Sequence, residues 1–536
     1  MDTSHQRLDT LLTEACDRFS GQTALTSGTQ SLTYAELAST ASEIGADLAA
    51  AGHRSGEPVL LSVGNRCADI PAQIAIWQAG GIVVPVHHGV PQTVMRETAL
   101  RTGARLLVRP EQDRPADRVG RLDLPTHPAP RELDADQALV AFTSGSTGRP
   151  KGVVLSHRAF TAKLRAIAQV LPFRSGDRAV QVLQLNFTFG QWTSLLTLAT
   201  GGTLELVEQF NAPAVLRRLA ERSVQRIAVV PSMLRLINRE LDAPRTGPAL
   251  RTALQEAGSP ALWITGGEPL PAGLGRRLRA ALPGTGIADV YGLSETSTSD
   301  FILTPDQYEA GAGTIGRPGP GVEFRIVPDE GPDAAAPGVT GELCLRTPYL
   351  MTGYLGDPSA TAEATADGWL RTGDLATVRE ADGLVRLVGR KKQLISRGGA
   401  KIAPLEVEHV YSRHPDCGGC LAVGVPDPML GERVHLLFVP AVGSSPTEDE
   451  LRAYGRERLE EYKAPERVHL VAELPLGRTG KADRAAAAHL AEAAHLADTV
   501  RPAENVRPTG TVRPTEAAHP AGIAAPSPAA EPQVAR

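Results

Sequence analysis

The feature that most constrains this chain is a series of short apolar runs that do not alternate. Val59–Val63, Ile82–Val86, Arg105–Val108, Ala138–Phe142, Ala179–Leu185, Thr203–Val207, Arg226–Val230 and Ala261–Thr265 are rich in Val, Ile and Leu on successive positions. A strand with one wet face alternates, whereas a parallel strand covered on both faces is apolar throughout. Helical patterns fall between the runs. Thr33 and Glu36 form a capping box ahead of Leu37, Ala41, Ile44 and Leu48, and Val215–Glu221 is a second example. Strands alternating with helices predict crossover units and an α/β body.

After Asp374 the pattern changes. Val378–Leu387 reads as a hairpin turning at Ala381-Asp382-Gly383, followed by a basic link, Gly389–Lys392. A smaller α+β unit follows. Its helices are expected near Leu405–Arg413 and Glu448–Glu460, and its strands near Leu421–Val425 and Val434–Val439. Ala485–Ala497 extends a helix. Beyond it Val-Arg-Pro recurs at 500, 506 and 512 in a stretch too poor in large apolar residues to bury a core, which predicts a disordered tail.

Residues 142–153, Phe-Thr-Ser-Gly-Ser-Thr-Gly-Arg-Pro-Lys-Gly-Val, follow the run Ala138–Phe142. Glycines allow close backbone approach, and hydroxyls, amide N–H groups and an ammonium can converge on a polyphosphate. This is not the usual P-loop, because Gly152 stands after Lys151 where that motif has a magnesium-binding hydroxyl.

The loop resembles the phosphate-binding motif of the adenylate-forming superfamily: acyl- and aryl-CoA synthetases, peptide-synthetase adenylation domains and beetle luciferases. Further matches follow in that family's order: Gly266-Gly267-Glu268-Pro269, Tyr291-Gly292-Leu293-Ser294-Glu295-Thr296, Gly368-Trp369-Leu370-Arg371-Thr372-Gly373-Asp374, Gly389-Arg390-Lys391-Lys392, Arg397-Gly398-Gly399-Ala400-Lys401-Ile402 and Gly477-Arg478-Thr479-Gly480-Lys481. The resemblance spans about residues 8 to 484. It implies a large layered N-terminal AMP-binding adenylation domain (1–389), a hinge (390–392) and a small mobile C-terminal domain (393–484), with the Ala/Pro-rich tail (485–536) outside it.

The implied reaction joins a carboxylate to the α-phosphate of ATP and expels pyrophosphate. A carboxylate approaching an anionic phosphate is repelled, so the protein must supply positive charge, dipoles and magnesium. The resemblance implies that Thr143, Ser144, Gly145, Ser146, Thr147, Gly148 and Lys151 hold the outer phosphates. Glu295 is the expected Mg²⁺ ligand, and Thr296 the donor to the α-phosphate. Tyr291 stacks on adenine beside Gly292, and Gly266, Gly267 and Glu268 form another wall. Asp374 accepts from both ribose hydroxyls, and Arg390 adds a contact. Lys481 bridges the acyl carboxylate and the nucleotide; taken alone, it would read as a solvated surface charge. The family reuses one cleft for two half-reactions. The small domain turns about a hinge matching Lys392, and Gly398 and Gly399 then let a pantetheine thread past the backbone.

The acid is less well marked. The segment Leu185–Gly190 carries neither the histidine frequent in acyl-CoA ligases nor the aspartate that holds an amino-acid ammonium, which disfavours an α-amino acid. Asn186, Phe187, Phe189 and Trp192 suggest an apolar, partly aromatic acyl pocket, with packing in the core as the alternative for the three aromatic residues. Val423–Pro428 with Gly431-Glu432 is similar to CoA ligases. The expectation is an aromatic or medium-chain acid passed to CoA. A carrier protein or an amine is the rival acceptor, and a nucleotide-binding protein without turnover is a separate class.

Composition narrows the setting. A chain of 536 residues needs more than one core. A net charge of −5 gives no electrostatic case for nucleic acid. No apolar run approaches the roughly 18–20 residues of a membrane span, and Met1–His5 lacks a signal-peptide pattern, so a cytoplasmic enzyme is the expectation. Cys417 and Cys420 read as small buried thiols beside a strand.

Overall fold

A computed structural model describes residues 6–111, 118–122, 124, 134, 136–143, 150–258, 260–329, 334–477 and 481–499. Among these residues, the apolar runs form the inner strands of two large sheets. The first has nine strands in the order Arg317–Pro318, Phe301–Leu303, Gly286–Tyr291, Leu262–Gly266, Arg226–Val229, Arg178–Gln181, Thr203–Leu206, Thr23–Ser27 and Gln30–Thr33. Its pairings from Gly286–Tyr291 through Thr23–Ser27 are parallel. The second has seven: Gly353–Tyr354, Lys151–Ser156, Gln137–Thr143, Ile82–His87, Pro58–Val63, Leu106–Val108 and Val119–Arg121.

Both faces of these strands are covered, which is why the runs do not alternate. In Pro58–Val63, Val59, Leu61 and Val63 enter one core and Leu60 the opposite one. Helices Leu8–Arg18, Tyr34–Ala50, Asp69–Gln78, His157–Val170 and Thr188–Ala199 share the first core with both sheets. Helices Ala212–Glu221, Pro231–Asp242, Gly247–Ala257 and Ala272–Ala281 cover the other face of the nine-stranded sheet. The capping box is present: the Thr33 hydroxyl accepts from Glu36 N, and Tyr34, Leu37, Ala41, Ile44 and Leu48 are buried.

A third sheet is built around Trp369–Val378, with Gly341–Arg346 on one edge and Val385–Arg390 on the other. The expected basic link is therefore half strand: Gly389 and Arg390 close Val385–Arg390, and Lys391–Gln393 is a single 3-10 turn. The small C-terminal sheet pairs Cys417–Asp427 with Gly431–Pro440 and adds Ile395–Arg397, Ala400–Ile402 and Arg467–Leu470, against helices Pro404–Tyr411 and Glu448–Arg456. The α/β body with a small α+β unit is thus observed. In this conformation the described residues through Glu492 pack as one compact unit. Cys417 and Cys420 are buried within their strand. No helix among the described residues is long and apolar enough to cross a membrane. The tail lies outside the described residues, apart from the end of helix Arg484–Thr499.

One expected strand is shorter than its apolar run. Arg178–Gln181 stops before Val182–Leu185, because buried amides take the backbone groups that a further ladder would need. Asn65, fully buried at φ 59°, donates to Leu183 O and Val207 O and accepts from Leu185 N. Gln181 donates to Leu183 O at 2.6 Å. Such groups must be paired somewhere, and here side chains rather than a neighbouring strand pair them.

Candidate active site

The segment expected to hold phosphates, here called the phosphate hairpin, joins the antiparallel strands Gln137–Thr143 and Lys151–Ser156, with Thr143 opposite Lys151. Ser144, Gly145, Ser146, Thr147 and Gly148 lie outside the described residues. Arg101 braces the base: it donates to Pro150 O at 2.7 Å and lies 4.9 Å from the Phe142 ring centroid. The Lys151 ammonium sits 4.3 Å from the centroid of Tyr354. Tyr354 comes from a two-residue strand paired to Lys151–Ser156, and its hydroxyl donates to Glu295 Oε1 at 2.8 Å. Burial and the Glu295 charge push this phenol far above its ordinary range, so it stays a donor. Tyr354 thus joins the loop lysine to the expected magnesium carboxylate. Sequence reasoning missed it, since Gly353-Tyr354 carries no signal beyond a glycine before an aromatic. A hollow of 280 Å³ opens beside it, lined by Arg101, Lys151, Gly152 and Leu355–Asp357.

Strand Gly286–Tyr291 delivers Tyr291 to Asp374, whose Oδ2 accepts from the tyrosine hydroxyl at 2.7 Å. Asp374 Oδ1 accepts from Arg390 Nε at 2.7 Å. The pair is cross-strand, Asp374 facing Arg390 in the register. Asp374 is buried and Arg390 is largely exposed. The Asp374 charge, with smaller contributions from Tyr291 and Glu295, raises the Arg390 guanidinium above its ordinary value. Each carboxylate oxygen retains a lone pair for a further donor.

After Gly292 the chain folds back tightly. A Cβ there would stand 2.0 Å from Ser299 N. Ser297, Thr298 and Ser299 take φ values of 57°, 82° and 46° in succession, a run that L-residues rarely adopt. Glu295 lies in the 3-10 turn Ser294–Thr296 just before it. Thr296 departs from expectation. It is fully buried, and its hydroxyl donates to Asp300 Oδ2 rather than into the cleft. In this conformation it is not free to donate to a phosphate.

Gly266 ends strand Leu262–Gly266, and Gly267 follows at φ 83°. A Cβ on Gly267 would lie 3.2 Å from Lys481 Cε and 3.3 Å from its ammonium. Glu268 Oε1 accepts from Ala482 N, which holds the lysine's neighbour at the end of strand Leu262–Gly266, and Gly477 N donates to Lys481 O at 2.8 Å within the lysine's own loop. Burial lowers the Lys481 pKa and Arg390 lowers it further, opposed by Glu268. The structure therefore brings Gly266, Gly267, Glu268, Lys481, Arg390, Asp374, Tyr291 and Glu295 into one region. Among the described residues no three His, Cys, Asp or Glu side chains group as a metal cage. A cation at Glu295 would take its other ligands from phosphate and water.

The acyl-pocket expectation is corrected in part. Trp192 is fully buried, stacked on Phe189 at 5.8 Å and edge-on to Phe173, because helix Thr188–Ala199 is covered on nearly all sides. Phe189 is partly exposed, and its ring reaches 3.2 Å from a Cβ built on Gly266. Asn186 and Phe187 are half-buried at the start of that helix, and Asn186 Oδ1 has no hydrogen-bond partner among the described residues.

Lys392 is exposed in its 3-10 turn. Gly398 (φ 56°) and Gly399 (φ 88°) form the two-residue turn between Ile395–Arg397 and Ala400–Ile402. A turn of that kind requires positive φ at both positions, which is a local reason for the glycines. The turn is exposed while Lys481 occupies the cleft.

The model for AMP-binding enzymes matches residues 12–355, and that for the AMP-binding enzyme C-terminal domain matches 406–481. The chain is 33% identical to a feruloyl-CoA synthase of an Amycolatopsis species, over 86% of this chain and 94% of that protein. It is also 33% identical to the fatty acid–[acyl-carrier-protein] ligase ScoC of Streptomyces coeruleorubidus, over 67% and 68%. The solved structure of the amide bond synthetase McbA from Marinactinospora thermotolerans superposes with a TM-score of 0.77 at 28% identity, covering 90% of this chain and 99% of that one. With both family models matched in order and the nucleotide-site motifs gathered in one region, the chain belongs to the AMP-binding, adenylate-forming enzymes.

Proposed function

We propose that this enzyme activates an aromatic or medium-chain carboxylic acid as its acyl-adenylate and passes the acyl group to a thiol, with CoA as the acceptor. The observation that carries this reading is the placement of Lys481 against Gly267 and Glu268, with Arg390 within electrostatic reach. In the first half-reaction a substrate carboxylate oxygen bonds to the α-phosphorus of ATP, and the bond to the bridging oxygen of the β-phosphate breaks. Lys481 holds the carboxylate and the phosphate together as charge redistributes. Asp374 takes the ribose hydroxyls on its remaining lone pairs, and Tyr291 flanks adenine. Thr143 and Lys151 lie toward the departing pyrophosphate. Glu295 would hold Mg²⁺, which supplies charge neutralisation on the phosphates. In the second half-reaction the thiol sulfur attacks the acyl carbonyl and AMP leaves.

The arrangement described, with Lys481 inward and the Gly398-Gly399 turn outside, is the one adenylation needs. Rotation about Lys392 would exchange them. Phe189, Phe187 and Asn186 are the acyl-pocket residues in this reading. CoA is favoured by similarity to the feruloyl-CoA synthase. Transfer to a carrier protein or an amine is the second reading, favoured by similarity to ScoC and McbA.

The test is pyrophosphate release screened across aromatic and aliphatic acids, with CoA, a carrier protein and amines then supplied in turn. AMP release coupled to CoA consumption supports the proposal. AMP formed only with a carrier protein or an amine replaces the acceptor, and background release with every acid rejects the enzyme reading.

A further inference from the structure

A buried ion pair lies directly behind the Glu295 turn. Lys163 and Asp300 are at most 1% exposed, and the lysine donates to Asp300 Oδ1 at 2.8 Å and to Ser299 O at 3.4 Å. Its ammonium also sits 4.5 Å from the ring centroid of Tyr349. Asp300 Oδ2 accepts the Thr296 hydroxyl, and Asp300 N donates to Tyr291 O at 2.6 Å. Lys163 belongs to helix His157–Val170, which starts where the phosphate-hairpin strand Lys151–Ser156 ends. Ser297 Oγ donates to Tyr349 O at 2.9 Å, and Met351 N to Glu295 O at 2.7 Å. The pair therefore ties together three segments that meet at the site: the helix behind the phosphate hairpin, the turn bearing Glu295 and Thr296, and the segment leading to Tyr354.

A buried pair is a costly way to hold a fold, since apolar residues of similar volume often stabilise as well or better. Here it spans the left-handed run Ser297–Ser299, which would relax if released. We propose that Lys163 and Asp300 are positioning residues for adenylation, fixing Thr296 and the Glu295 carboxylate in register with the phosphate hairpin. This inference rests on the proposed function.

The test compares Lys163→Met, which leaves Asp300 to bond Thr296, with the apolar double variant Lys163→Met/Asp300→Leu, which does not. Thermal melting is measured beside ATP–pyrophosphate exchange at varied Mg²⁺. The expected result is a double variant that melts near the wild type, yet loses at least about tenfold in kcat and needs more Mg²⁺ for half-maximal rate. Lys163→Met is expected to lose less. Exchange within twofold of wild type in a folded double variant, or activity that merely tracks melting temperature, overturns the inference. If the double variant does not fold, Thr296→Val serves instead, because it deletes the hydroxyl that Asp300 holds and leaves the pair intact; unchanged kcat and Mg²⁺ dependence would then overturn it. Wild-type exchange with at least one acid is the control: its absence rejects the function itself.

Discussion

Replacing Lys481 with alanine isolates the contact on which the proposed first half-reaction depends. The lysine Cε and ammonium lie 3.2 and 3.3 Å from a Cβ built on Gly267. The loop around it is pinned by Glu268 to Ala482 and by Gly477 to Lys481 O, neither of which uses the lysine side chain. The substitution should therefore leave the docked domain intact while removing one preorganised positive charge. Losses from such a contact run about 10²- to 10³-fold, or roughly 3–4 kcal/mol of transition-state stabilisation. ATP–pyrophosphate exchange at saturating acid should fall by that factor. Thiolation of a supplied acyl-adenylate should stay within a fewfold of wild type, because the proposed rotation about Lys392 carries the lysine away in that step. The wild type adds a pH signature. Burial lowers the Lys481 pKa, so the charged form is lost, and exchange declines, at a lower pH than for a solvated lysine. A loss under about tenfold in exchange, or equal losses in both half-reactions, would refute both the bridging role and the domain alternation.

Other positions give independent checks. Tyr354→Phe deletes the donor to Glu295 Oε1, a charge-assisted bond worth about 1.5–3 kcal/mol; a Mg²⁺ titration of exchange should show a higher half-maximal concentration with the fold unchanged by circular dichroism. Gly292→Ala puts a Cβ 2.0 Å from Ser299 N, a backbone atom that cannot swing aside; melting temperature and exchange should fall together. Asp289 is fully buried beside the Thr265 hydroxyl, and desolvation lifts its pKa to about 8. An acid raised in the folded state contributes fully below its unfolded pKa near 4, and that contribution is lost as pH rises through about 8. By pH 7 the loss is about 4 kcal/mol, roughly three units at 1.4 kcal/mol each. Asp289→Asn should flatten the stability profile between those limits in denaturant titrations.

Much of the site was legible because its parts are locally encoded. Thr33 and Glu36 cap a helix from three residues apart. Asp374 and Arg390 fall opposite each other once the hairpin after Trp369 is read. Strand lengths were less legible. The apolar run Ala179–Leu185 looked continuous, but Asn65, more than a hundred residues earlier in the chain, captures its last turn. The resemblance implied a phosphate-donating Thr296, whereas in this conformation its hydroxyl is turned inward to Asp300, which Lys163 holds. Trp192 read equally well as pocket or core, since an aromatic residue on an apolar helix fits both, and only the packing of Phe173 and Phe189 around it decides for the core.

The order of motifs along the chain determined the family, the α/β layering and the residues expected to surround a nucleotide, because each motif specifies its own turn or strand end. Tertiary structure alone decided that Tyr354 joins Lys151 to Glu295, that a buried lysine–aspartate pair stands behind them, and that Lys481 reaches Gly267 from more than two hundred residues away. Short-range patterns record backbone preference and burial. Which side chains meet depends on sheet order and domain docking, and these are set by the whole core at once.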